Sequence, residues 1–552
     1  MDSFNEMAEL LFADITKTPA DYEEEYPPRN LKEGAIVTRF APSPTGFLHF
    51  GGLFAAFIEK TAAKTTNGIF YLRIEDTDKK REVENGVSLI VKGLNDFGIE
   101  IDEGMLSETE EKGAYGPYTQ SKRTPIYQAY VKSLVQKGLA YPCFMSENEL
   151  NEVRQRQEAD KLLPGIYGEF AKYRDITVEE AKRRIDAGEE YVVRLKSPGS
   201  ADKRIKFKDA IKGEIEMPEN ILDVVLLKKD GTPTYHFAHA VDDHLMRTTH
   251  VIRGDEWISS VPIHLQLFYL LGFKAPKYVH ISPIMKEENG GKRKLSKRKD
   301  PEAAVSYYSE VGFPKGAIWE YLMTLANSNY EDWRLANKDA DIEEFKFALN
   351  KMSKAGALFD LVKLTDVSKN YISTLNAEEV YEMVTEWAQA NNEKLYDLLV
   401  NDEEYAKAIF AIERGNAKPR KDIGTWSDVE NYVSYFYREL WDRKRDFAEN
   451  LSNEDIIEIL ERYKEVYDEN GAAEDWFPTV RDMAVEMGYA KAPKEYKKNP
   501  DDYKGHVGDV AGVIRVAVTG RRNTPDLYEI MQVLGGEVVT KRIDEAIDLL
   551  RN

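Results

Sequence analysis

The sequence predicts an α/β domain with a parallel sheet, followed by a region built from helices. The runs AIVTRFAP, GGLFAAFIEKTAAKTTNG and IFYLRIEDTD alternate as a strand, a helix ending at Gly68 and a second strand, and a helical crossover of this kind makes the two strands parallel. Beyond about residue 315, apolar residues recur at intervals of three and four, as in NEDIIEILERYKEVYDEN, which indicates amphipathic helices. The 552 residues are enough for several domains.

The two halves of the α/β domain are separated by irregular sequence, which predicts an inserted subdomain. GPYTQSKRTPIYQAYVKSLVQKGLAYPCF predicts a turn and a helix, and the strand-like run DVVLLKKDGTPTYHFAHAVDD returns the chain to the sheet. The predicted boundaries are 1–33 for an acidic N-terminal extension, 34–107 for the first half of the α/β domain, 108–220 for the inserted subdomain, 221–314 for the second half, and 315–400 and 401–552 for two helical domains.

Composition excludes several classes of protein. Hydrophobic residues make up 42% of the chain, and no stretch approaches the roughly 18 unbroken apolar residues that a membrane helix needs. The N-terminal segment lacks the basic and apolar regions of a signal peptide, so we expect a cytoplasmic protein. The net charge, 76 − 97 = −21, argues by itself against a polyanionic partner, although the local field decides that point.

The stretch APSPTGFLHFGG, residues 41–52, joins the first strand to the helix. Its two prolines stiffen the exit from the strand, and Gly51 and Gly52 begin the helix just after His49. Backbone N–H groups at a helix start can bind phosphate, and an imidazole can donate a hydrogen bond to charge developing on a transferring phosphoryl group. The alternative is an ordinary strand-to-helix turn in which the histidine is incidental.

A second candidate phosphate site is the basic run GKRKLSKRKD. Six of the eight residues 292–299 are Lys or Arg, and Lys294 and Lys297 flank Ser296. Ammonium groups of this kind suit the outer phosphates of a nucleoside triphosphate. Taken alone, the run is equally typical of a solvated basic loop.

Together these motifs carry a family resemblance. APSPTGFLHFGG resembles the HIGH signature and KLSKR the KMSKS signature of class I aminoacyl-tRNA synthetases. RFAPSPTGFLHFGG, LRIEDTD, QSKR, VDDHLMRTTHVIRGDEW and KLSKRKD together resemble glutamyl-tRNA synthetases of the bacterial type, and ALFDLVKL and RVAVTGRRNTPDLYEIMQVLG resemble that family's helical anticodon-binding region. The resemblance covers nearly the whole chain from residue 36. It implies a Rossmann-like catalytic domain with an inserted acceptor-stem-binding subdomain, followed by helical stem-contact and anticodon-binding domains.

The resemblance also implies a two-step reaction. The α-carboxylate of glutamate attacks the α-phosphate of ATP, which arrives with Mg²⁺, giving glutamyl-adenylate and pyrophosphate. The terminal adenosine of tRNA(Glu) then accepts the glutamyl group. Such chemistry needs positioning and charge neutralisation more than a protein nucleophile. We expect a monomer, and the sequence leaves open whether tRNA(Gln) is charged as well.

Individual residues gain implied roles, each with a structural ion pair or a packing contact as its alternative. The residues implied in ATP binding are His49, Gly51, Gly52, Glu256, Lys294, Ser296 and Lys297, with His49, Lys294 and Lys297 implied as catalytic. The residues implied in glutamate binding are Arg39, Tyr235 and Arg253 at the side-chain carboxylate, with Ser43 and Glu75 at the backbone end. An ion pair between Arg39 and Glu75 is the structural alternative there.

The run YHFAHAVDDHLMRTTH raises a metal site as a competing hypothesis. It concentrates groups that could ligate a metal, namely His236, His239, Asp242, Asp243 and His244. We interpret the run as a strand passing into a turn, in which neighbouring side chains alternate faces and do not all converge on one metal. His239 stands where some members of the family have asparagine, and it is assigned no role.

Zinc is not expected either. Cys143, the only cysteine, forbids an internal disulfide and a multi-cysteine zinc site. It stands where some members of the family begin a zinc-binding cysteine cluster, but Met145 occupies the next cysteine position. We expect the thiol to be a small, partly buried side chain.

Three other functions compete with this interpretation. A glutaminyl-tRNA synthetase resembles the catalytic half but carries β-barrels for the anticodon, and an enzyme that glutamylates a modified tRNA base resembles the first half only. The predicted helical region beyond about residue 315 argues against both. A nucleotide- or RNA-binding module without catalysis would tolerate loss of His49 or Lys297, yet both are present.

A second lysine motif and one arginine also need a functional assignment. KMSKAG at 351–356 is closer in letters to the KMSKS signature, but we predict that Lys351 and Lys354 serve solvation or contact the tRNA backbone. Arg420 falls near an anticodon-reading arginine of the family, with an ordinary surface arginine as the alternative.

Overall fold

The structure, a computed structural model, describes residues 3–46, 48–78, 82–296 and 298–551. The chain divides into two units, one formed by Met1–Tyr307 with Trp319–Asp360 and the other by Tyr308–Ile318 with Leu361–Asn552. The domain boundaries proposed from the sequence stay predictions.

The first unit mixes helices and strands. Its elements are α1 (Ser3–Leu11), α2 (Pro19–Glu25), β1 (Val37–Phe40), α3 (Phe50–Lys64), β2 (Ile69–Leu72), α4 (Gly86–Asn95), β3 (Glu103–Met105), β4 (Glu111–Lys112), α5 (Thr124–Gln136), β5 (Ala140–Cys143), α6 (Glu147–Ala159), α7 (Val178–Asp186), β6 (Val192–Leu195), β7 (Arg204–Asp209), β8 (Gly213–Pro218), β9 (Val225–Leu227), α8 (Tyr235–Leu245), β10 (His250–Gly254), α9 (Val261–Leu271), β11 (Lys277–Ile281), β12 (Met285–Glu288), β13 (Gly291–Lys294), α12 (Tyr330–Ala336) and β14 (Leu358–Phe359).

Helices dominate the rest of the chain. Their bounds are α10 (Ser306–Val311), α11 (Lys315–Ala326), α13 (Leu361–Thr374), α14 (Ala377–Asn391), α15 (Glu393–Asn401), α16 (Glu403–Ala411), α17 (Val429–Val433), α18 (Asn453–Val466), α19 (Ala473–Glu486), α20 (Pro493–Lys498), α21 (Val507–Thr519), α22 (Leu527–Leu534) and α23 (Gly536–Arg551). The apolar faces of α14 to α16, α18, α19 and α21 to α23 supply buried residues to one hydrophobic core.

The predicted parallel crossover is confirmed. Strand β1 pairs in parallel with β2, with Val37 opposite Ile69, and α3 connects them. Strand β2 also pairs in parallel with β3, and β10 with β11. The hydrogen bond from Thr249 N–H to the Val37 carbonyl, 3.0 Å, places the start of β10 beside β1. The carboxyl ends of these parallel strands therefore share one edge.

Helix α3 ends at Lys64, earlier than the predicted end at Gly68. Asn67 adopts a left-handed conformation with φ of 52°, and Gly68 N–H donates to the Ala63 carbonyl at 2.8 Å. This is the geometry of a helix-terminating Schellman motif, in which asparagine can replace glycine. Gly68 is needed for another reason, since a Cβ there would lie 1.8 Å from the Ile36 carbonyl oxygen.

The run after β9 is a helix, so the interpretation of YHFAHAVDDHLMRTTH as a strand passing into a turn is wrong. Helix α8 spans Tyr235–Leu245, and its buried apolar residues include Phe237, Val241 and Leu245, four residues apart. That spacing is helical, and the alternation argument against a metal falls with the strand assignment. His239 and Asp243 instead lie one turn apart and face each other, with 2.7 Å between Nδ1 and Oδ2.

The N-terminal extension is packed into the first unit. Helices α1 and α2 lie against α5, where the Lys132 ammonium donates to the carbonyls of Phe12 and Ile15 at 3.1 and 3.0 Å. Arg29 then forms a bidentate pair with Glu103, a residue of β3, at 2.7 and 2.9 Å. The extension therefore braces the sheet and α5.

The second unit is helical, as predicted. Within its described residues, the only β pairing is an isolated bridge between Ala490 and His506. In the described parts of the whole chain, no helix has the length and apolar character that crossing a bilayer requires.

We predict that Gly68→Ala destabilises the protein, because the added Cβ would collide with the Ile36 backbone at the entrance to β2. Gly512→Ala is the control, since a Cβ at this helical position meets no atom within 4 Å. That change should stabilise α21 by about 0.5–1 kcal/mol, the helix-propensity difference between the two residues. Calorimetric unfolding of both variants measures this, and a Gly68→Ala transition at or above the wild-type temperature would contradict the steric argument.

Candidate active site

The candidate site forms where the parallel strands end. Arg73 N–H donates to the Phe40 carbonyl and Glu75 N–H to the Pro42 carbonyl, both at 3.0 Å, so the segments after β1 and β2 leave the sheet side by side. Ligands of open α/β sheets bind outside the carboxyl ends of the strands. The loop carrying Ser43, which is exposed, therefore lies beside Glu75.

His49 caps helix α3. Its Nδ1 accepts a hydrogen bond from Gly52 N–H at 2.9 Å, so a neutral ring carries its proton on Nε2, which can donate outward. A Cβ at Gly52 would lie 2.9 Å from the Leu48 side chain, and one at Gly51 would lie 3.3 Å from the His49 ring. Gly51 thus allows the imidazole to lie against the helix start, Gly52 leaves room for the Leu48 side chain, and an isolated β-bridge joins His49 to Ala304.

The basic run forms a hairpin and a turn built on a buried carboxylate. Strands β12 and β13 pair antiparallel, and Lys294, the last residue of β13, is exposed. Asp300 accepts from Arg293 at 2.6 and 2.7 Å and from Ser296 N–H at 2.9 Å. The hydrogen bonds from Arg293 hold the pKa of Asp300 well below its usual range. Lys297, the other predicted catalytic lysine, lies outside the described residues.

The second lysine motif is held by its backbone. The Lys354 carbonyl accepts from the Lys212 ammonium at 2.8 Å and from the Ser282 hydroxyl at 2.9 Å, while the Lys351 and Lys354 side chains are exposed. Strand β14, which follows the motif, pairs with β12. The second motif thus supports the base of the hairpin that presents the first.

Under the site lies a buried ionic network. Asp243 pairs with Arg39 at 3.2 Å and with Arg73 at 2.7 Å, and Asp242 pairs with Arg123 at 2.7 Å. The two aspartates and Arg73 and Arg123 are buried to 1% exposure or less. Burial by itself would raise the pKa of Asp243, but Arg39 and Arg73 hold it well below the usual range. The Asp243 carboxylate is therefore charged.

The ion pair between Arg39 and Glu75, which the sequence offered as the structural alternative, is absent from the described structure. Among the described residues Glu75 pairs with Arg73, at 3.1 Å, while Arg39 pairs with Asp243 and approaches Glu59 at 3.7 Å. Burial raises the pKa of Glu75 despite its arginine neighbours. Burial also raises the pKa of Glu59 well above its usual range, and its Oε2 has no hydrogen-bond partner in the described structure. Burial thus favours the neutral form of the Glu59 carboxyl group, because a 3.7 Å approach of Arg39 without a hydrogen bond does not offset it.

Arg253 is held differently from Arg39, Arg73 and Arg123, which pair with buried aspartates. Its Nε donates to His280 Nε2 at 3.1 Å, and its Nη2 donates to His264 Nδ1 at 3.2 Å and to the Trp257 carbonyl at 3.4 Å. Its Nη1 donates to the Tyr235 hydroxyl at 3.4 Å. Among the described residues no carboxylate pairs with this guanidinium, which is 7% exposed.

Several of the predicted glutamate-binding residues interact electrostatically with Tyr235. Tyr235 begins α8, and burial raises the pKa of its phenol, with opposing contributions from Glu75 on one side and from Arg253 and Arg39 on the other. Tyr235 is therefore close enough to Glu75, Arg253 and Arg39 to interact with each of them electrostatically.

Glu256, a predicted ATP-binding residue, is exposed and follows β10 directly. A Cβ at Gly254 would lie 2.2 Å from the Glu256 carboxylate, so glycine at that position allows the carboxylate to fold back over the strand end. No metal cluster is present in the part of the chain that the structure describes, since no three His, Cys, Asp or Glu side chains there are arranged to hold an ion. Cys143 is buried, more deeply than predicted.

Comparison with known proteins decides the family. The model for "tRNA synthetases class I (E and Q), catalytic domain" matches residues 35–366, and the "Anticodon binding domain" model matches residues 379–547. The glutamate–tRNA ligase of Clostridium perfringens (strain 13 / Type A) is 54% identical over 545 residues, which cover 98% of this chain and 100% of that protein. The chain belongs to the glutamyl-tRNA synthetase family. The ligase of Clostridium beijerinckii is 51% identical, covering 99% of this chain and 100% of the relative.

Solved structures of glutamyl-tRNA synthetases agree with this placement. The crystal structure of a glutamate tRNA ligase from Elizabethkingia meningosepticum in complex with its amino acid has a TM-score of 0.74 at 29% identity, covering 94% of this chain and 100% of that one. The enzyme from Elizabethkingia anophelis has a TM-score of 0.71 at 29% identity, covering 93% and 99%. The predicted α/β catalytic domain followed by a helical anticodon-binding region is confirmed.

Two of the alternatives are thereby removed. A glutaminyl-tRNA synthetase with anticodon-binding β-barrels does not fit the helical second unit, and an enzyme resembling the first half only does not fit the match to the anticodon-binding domain. In that second unit, Arg420 pairs with Asp422 at 2.6 Å and is 32% exposed. This geometry favours the surface ion pair over a free anticodon-reading arginine.

Sequence reasoning missed several residues of this glutamyl-tRNA synthetase site. His264 and His280 contact Arg253, Asp209 accepts from His280 at 2.7 Å, and Asp300 anchors the basic turn. The signal for the two histidines was their position as polar residues inside the largely apolar runs VPIHLQLF and YVHISP. The signal for Asp300 was its place directly after the basic run.

We predict that the buried carboxyl groups of Glu59 and Asp243 affect stability with opposite pH dependence. The pKa of Glu59 is higher in the folded chain than in the unfolded one, so stability falls as pH rises above the usual glutamate range. Glu59→Gln removes that loss and should match or exceed wild-type stability at pH 8. The pKa of Asp243 is lowered, so its contribution is present at neutral pH and is lost on acidification.

Asp243→Asn leaves two buried guanidinium groups without their shared partner, which should cost about 3–5 kcal/mol at pH 8. Thermal unfolding at pH 5 and pH 8 measures both variants. A large loss of stability at pH 8 in Glu59→Gln would show that Glu59 is ionised.

Proposed function

We propose that this protein ligates L-glutamate to the 3′-terminal adenosine of tRNA(Glu), through glutamyl-adenylate and with ATP and Mg²⁺ as the substrate complex. The observation that carries the proposal is Arg253, a buried guanidinium that has no carboxylate partner among the described residues and lies at the carboxyl edge of a parallel sheet. A buried cation of this kind favours an anionic ligand. The names of the relatives, all glutamate–tRNA ligases, support glutamate as that ligand.

The glutamate subsite is assigned by charge. Arg253, Arg39 and Tyr235 would hold the side-chain carboxylate, and Glu75, with Ser43 beside it, would face the ammonium group. Support comes from the mutual electrostatic effects of these groups on the phenol of Tyr235. A site built for a carboxylate rejects the neutral amide of glutamine, since the guanidinium would lose its charged partner.

The phosphate subsite is assigned to the start of α3 and the basic hairpin. His49 offers an Nε2–H donor, Gly51 and Gly52 leave the helix start open, and Lys294 projects from the end of β13. Ser296 and Lys297 complete the loop, and Glu256 would contact the nucleotide from the end of β10. These groups would bind ATP and stabilise charge on the departing pyrophosphate.

The helical second unit is assigned to tRNA through its match to an anticodon binding domain. Arg420 stays a candidate contact, with the pairing to Asp422 as the argument against it. We also propose that the protein is a monomer and acts in the cytoplasm, where tRNA is charged for translation.

Side-by-side acylation of purified tRNA(Glu) and tRNA(Gln) with radiolabelled glutamate tests the activity and its tRNA range. We expect ATP-dependent charging of tRNA(Glu), and the second arm establishes whether tRNA(Gln) is also a substrate. A chain that binds ATP and tRNA but charges neither would support the non-catalytic alternative.

Arg253→Gln should lower kcat/KM for glutamate by roughly 10²-fold or more, because one charged hydrogen bond to a carboxylate is lost. The KM for ATP should change little. The matched control is Arg204→Gln, which removes an exposed arginine paired with Glu216 and should leave both constants unchanged. Normal glutamate kinetics in Arg253→Gln would contradict the assignment.

The two lysine motifs should differ in their effect on adenylate formation. Lys297→Ala should lower its kcat by roughly 10²-fold or more, the usual scale for removing an electrostatic stabiliser, and we assign Lys294 the same role. Lys354→Ala keeps the carbonyl that binds Lys212 and Ser282, so the rate should stay within a few-fold of wild type, with at most a salt-dependent loss of tRNA affinity. Single-turnover kinetics of adenylate formation measures both variants. A larger loss of rate in Lys354→Ala than in Lys297→Ala would show that the second motif, not the first, is the active-site loop.

A further inference from the structure

Two histidine rings hold the buried guanidinium of Arg253. Two of its nitrogens donate to ring nitrogens of histidines, Nε to His280 at 3.1 Å and Nη2 to His264 at 3.2 Å. Both histidines are fully buried. A ring nitrogen accepts a hydrogen bond only through a lone pair, so both imidazoles are neutral in this arrangement.

The hydrogen bonds behind the two histidines fix their tautomers. Since His280 Nε2 accepts from Arg253, its proton lies on Nδ1, which donates to Asp209 at 2.7 Å. Since His264 Nδ1 accepts from Arg253, its proton lies on Nε2, which donates to His236 Nδ1 at 2.9 Å. Each histidine is therefore oriented by a second partner that turns its lone pair toward the guanidinium.

Burial agrees with the neutral state. It lowers the pKa of His280 and brings the pKa of His264 well below the usual range, and the nearby Arg253 acts in the same direction in both. The carboxylate of Asp209 opposes this shift at His280 but does not reverse it.

Arg253 contrasts with the buried arginines that pair with Asp242 and Asp243. Arg39 and Arg73 share Asp243, and Arg123 pairs with Asp242. In the described structure Arg253 has only uncharged acceptors, and they use four of its five N–H donors. The remaining donor is on Nη1, the nitrogen that also faces Tyr235.

We propose that His264 and His280 are positioning residues that hold Arg253 through uncharged acceptors, leaving its full positive charge and one Nη1 donor for the substrate carboxylate. The inference rests on the proposed function, in which Arg253 binds glutamate. A resident carboxylate at either histidine position would hold the guanidinium equally well but would neutralise it. The incoming carboxylate would then compete with that counter-ion, and the preference for glutamate over glutamine would shrink.

The test compares His264→Glu with His264→Gln, two side chains of nearly equal size that differ in charge. Gln retains a neutral acceptor, so its KM for glutamate should stay within a few-fold of wild type. Glu pairs with Arg253 and should raise the KM for glutamate at least tenfold above that of the Gln variant, with the KM for ATP unchanged. The ratio of kcat/KM for glutamate to that for glutamine should fall only in the Glu variant. Exchange assays should include tRNA throughout.

His250→Glu and His250→Gln form the matched control pair. His250 starts β10, the strand that carries Arg253, and is half-buried but bonds to Thr249 at 2.9 Å. The proposal is supported if the Glu and Gln variants differ in their KM for glutamate at position 264 but not at position 250. Equal glutamate kinetics in His264→Glu and His264→Gln would overturn it, since a merely structural histidine would respond to both changes alike.

If His264→Glu does not fold, substitutions of His280 test the proposal instead. Gln at 280 can accept from Arg253 and donate to Asp209, whereas Leu can do neither, so His280→Leu should raise the KM for glutamate at least tenfold above His280→Gln. Equal values would overturn the proposal. A wild-type protein that activates no glutamate would instead overturn the proposed function itself, together with this inference, and that result is visible before any variant is made.

Discussion

The shared carboxylate of Asp243 is the interaction on which the rest of the site depends. It lies on α8 and pairs with Arg39 of β1 and with Arg73 just beyond β2, while its neighbour Asp242 pairs with Arg123 at the start of α5. One turn of helix therefore ties the first two parallel strands to α5. Because each member is buried, the loss of one leaves an unpaired charge with several kcal/mol of desolvation behind it.

This network also sets how much uncompensated charge each arginine offers to a ligand. The carboxylates of Asp243, Asp242 and Glu75 pair with the guanidinium groups of Arg39, Arg73 and Arg123, so the charge of Arg39 is partly compensated before a ligand binds. Arg253, one strand further, lies outside this balance. Burial is nearly the same for Arg39 and Arg253, at 4% and 7% exposure, so these two arginines that we assign to the glutamate side chain differ in their acceptors, which include a carboxylate for Arg39 and none for Arg253 in the described structure.

The sequence predicted the fold where local pattern and long-range topology agree. The crossover from β1 through α3 to β2 and the helical region after residue 360 were both apparent from periodicity. The interpretation failed at α8, where the polar letters of HFAHAVDDH obscured the four-residue spacing of Phe237, Val241 and Leu245. Most of those polar residues are buried in the network, and burial by pairing partners far apart in sequence, such as Arg39 and Asp243, has no local signature.

The same lack of a local signature explains why only part of the candidate site could be predicted from the sequence. The sequence named residues whose types match the chemistry, such as His49 and Arg253, but their partners come from distant segments. His280 and His264 are ordinary polar interruptions in apolar runs until the fold brings both to one guanidinium. A buried charge without a counter-ion breaks the general rule that buried charges are paired, and natural proteins break such rules mainly at functional sites. Two neutral imidazoles, each fixed by its own acceptor, satisfy the hydrogen bonds of the guanidinium without cancelling its charge, which is what a carboxylate-binding site requires.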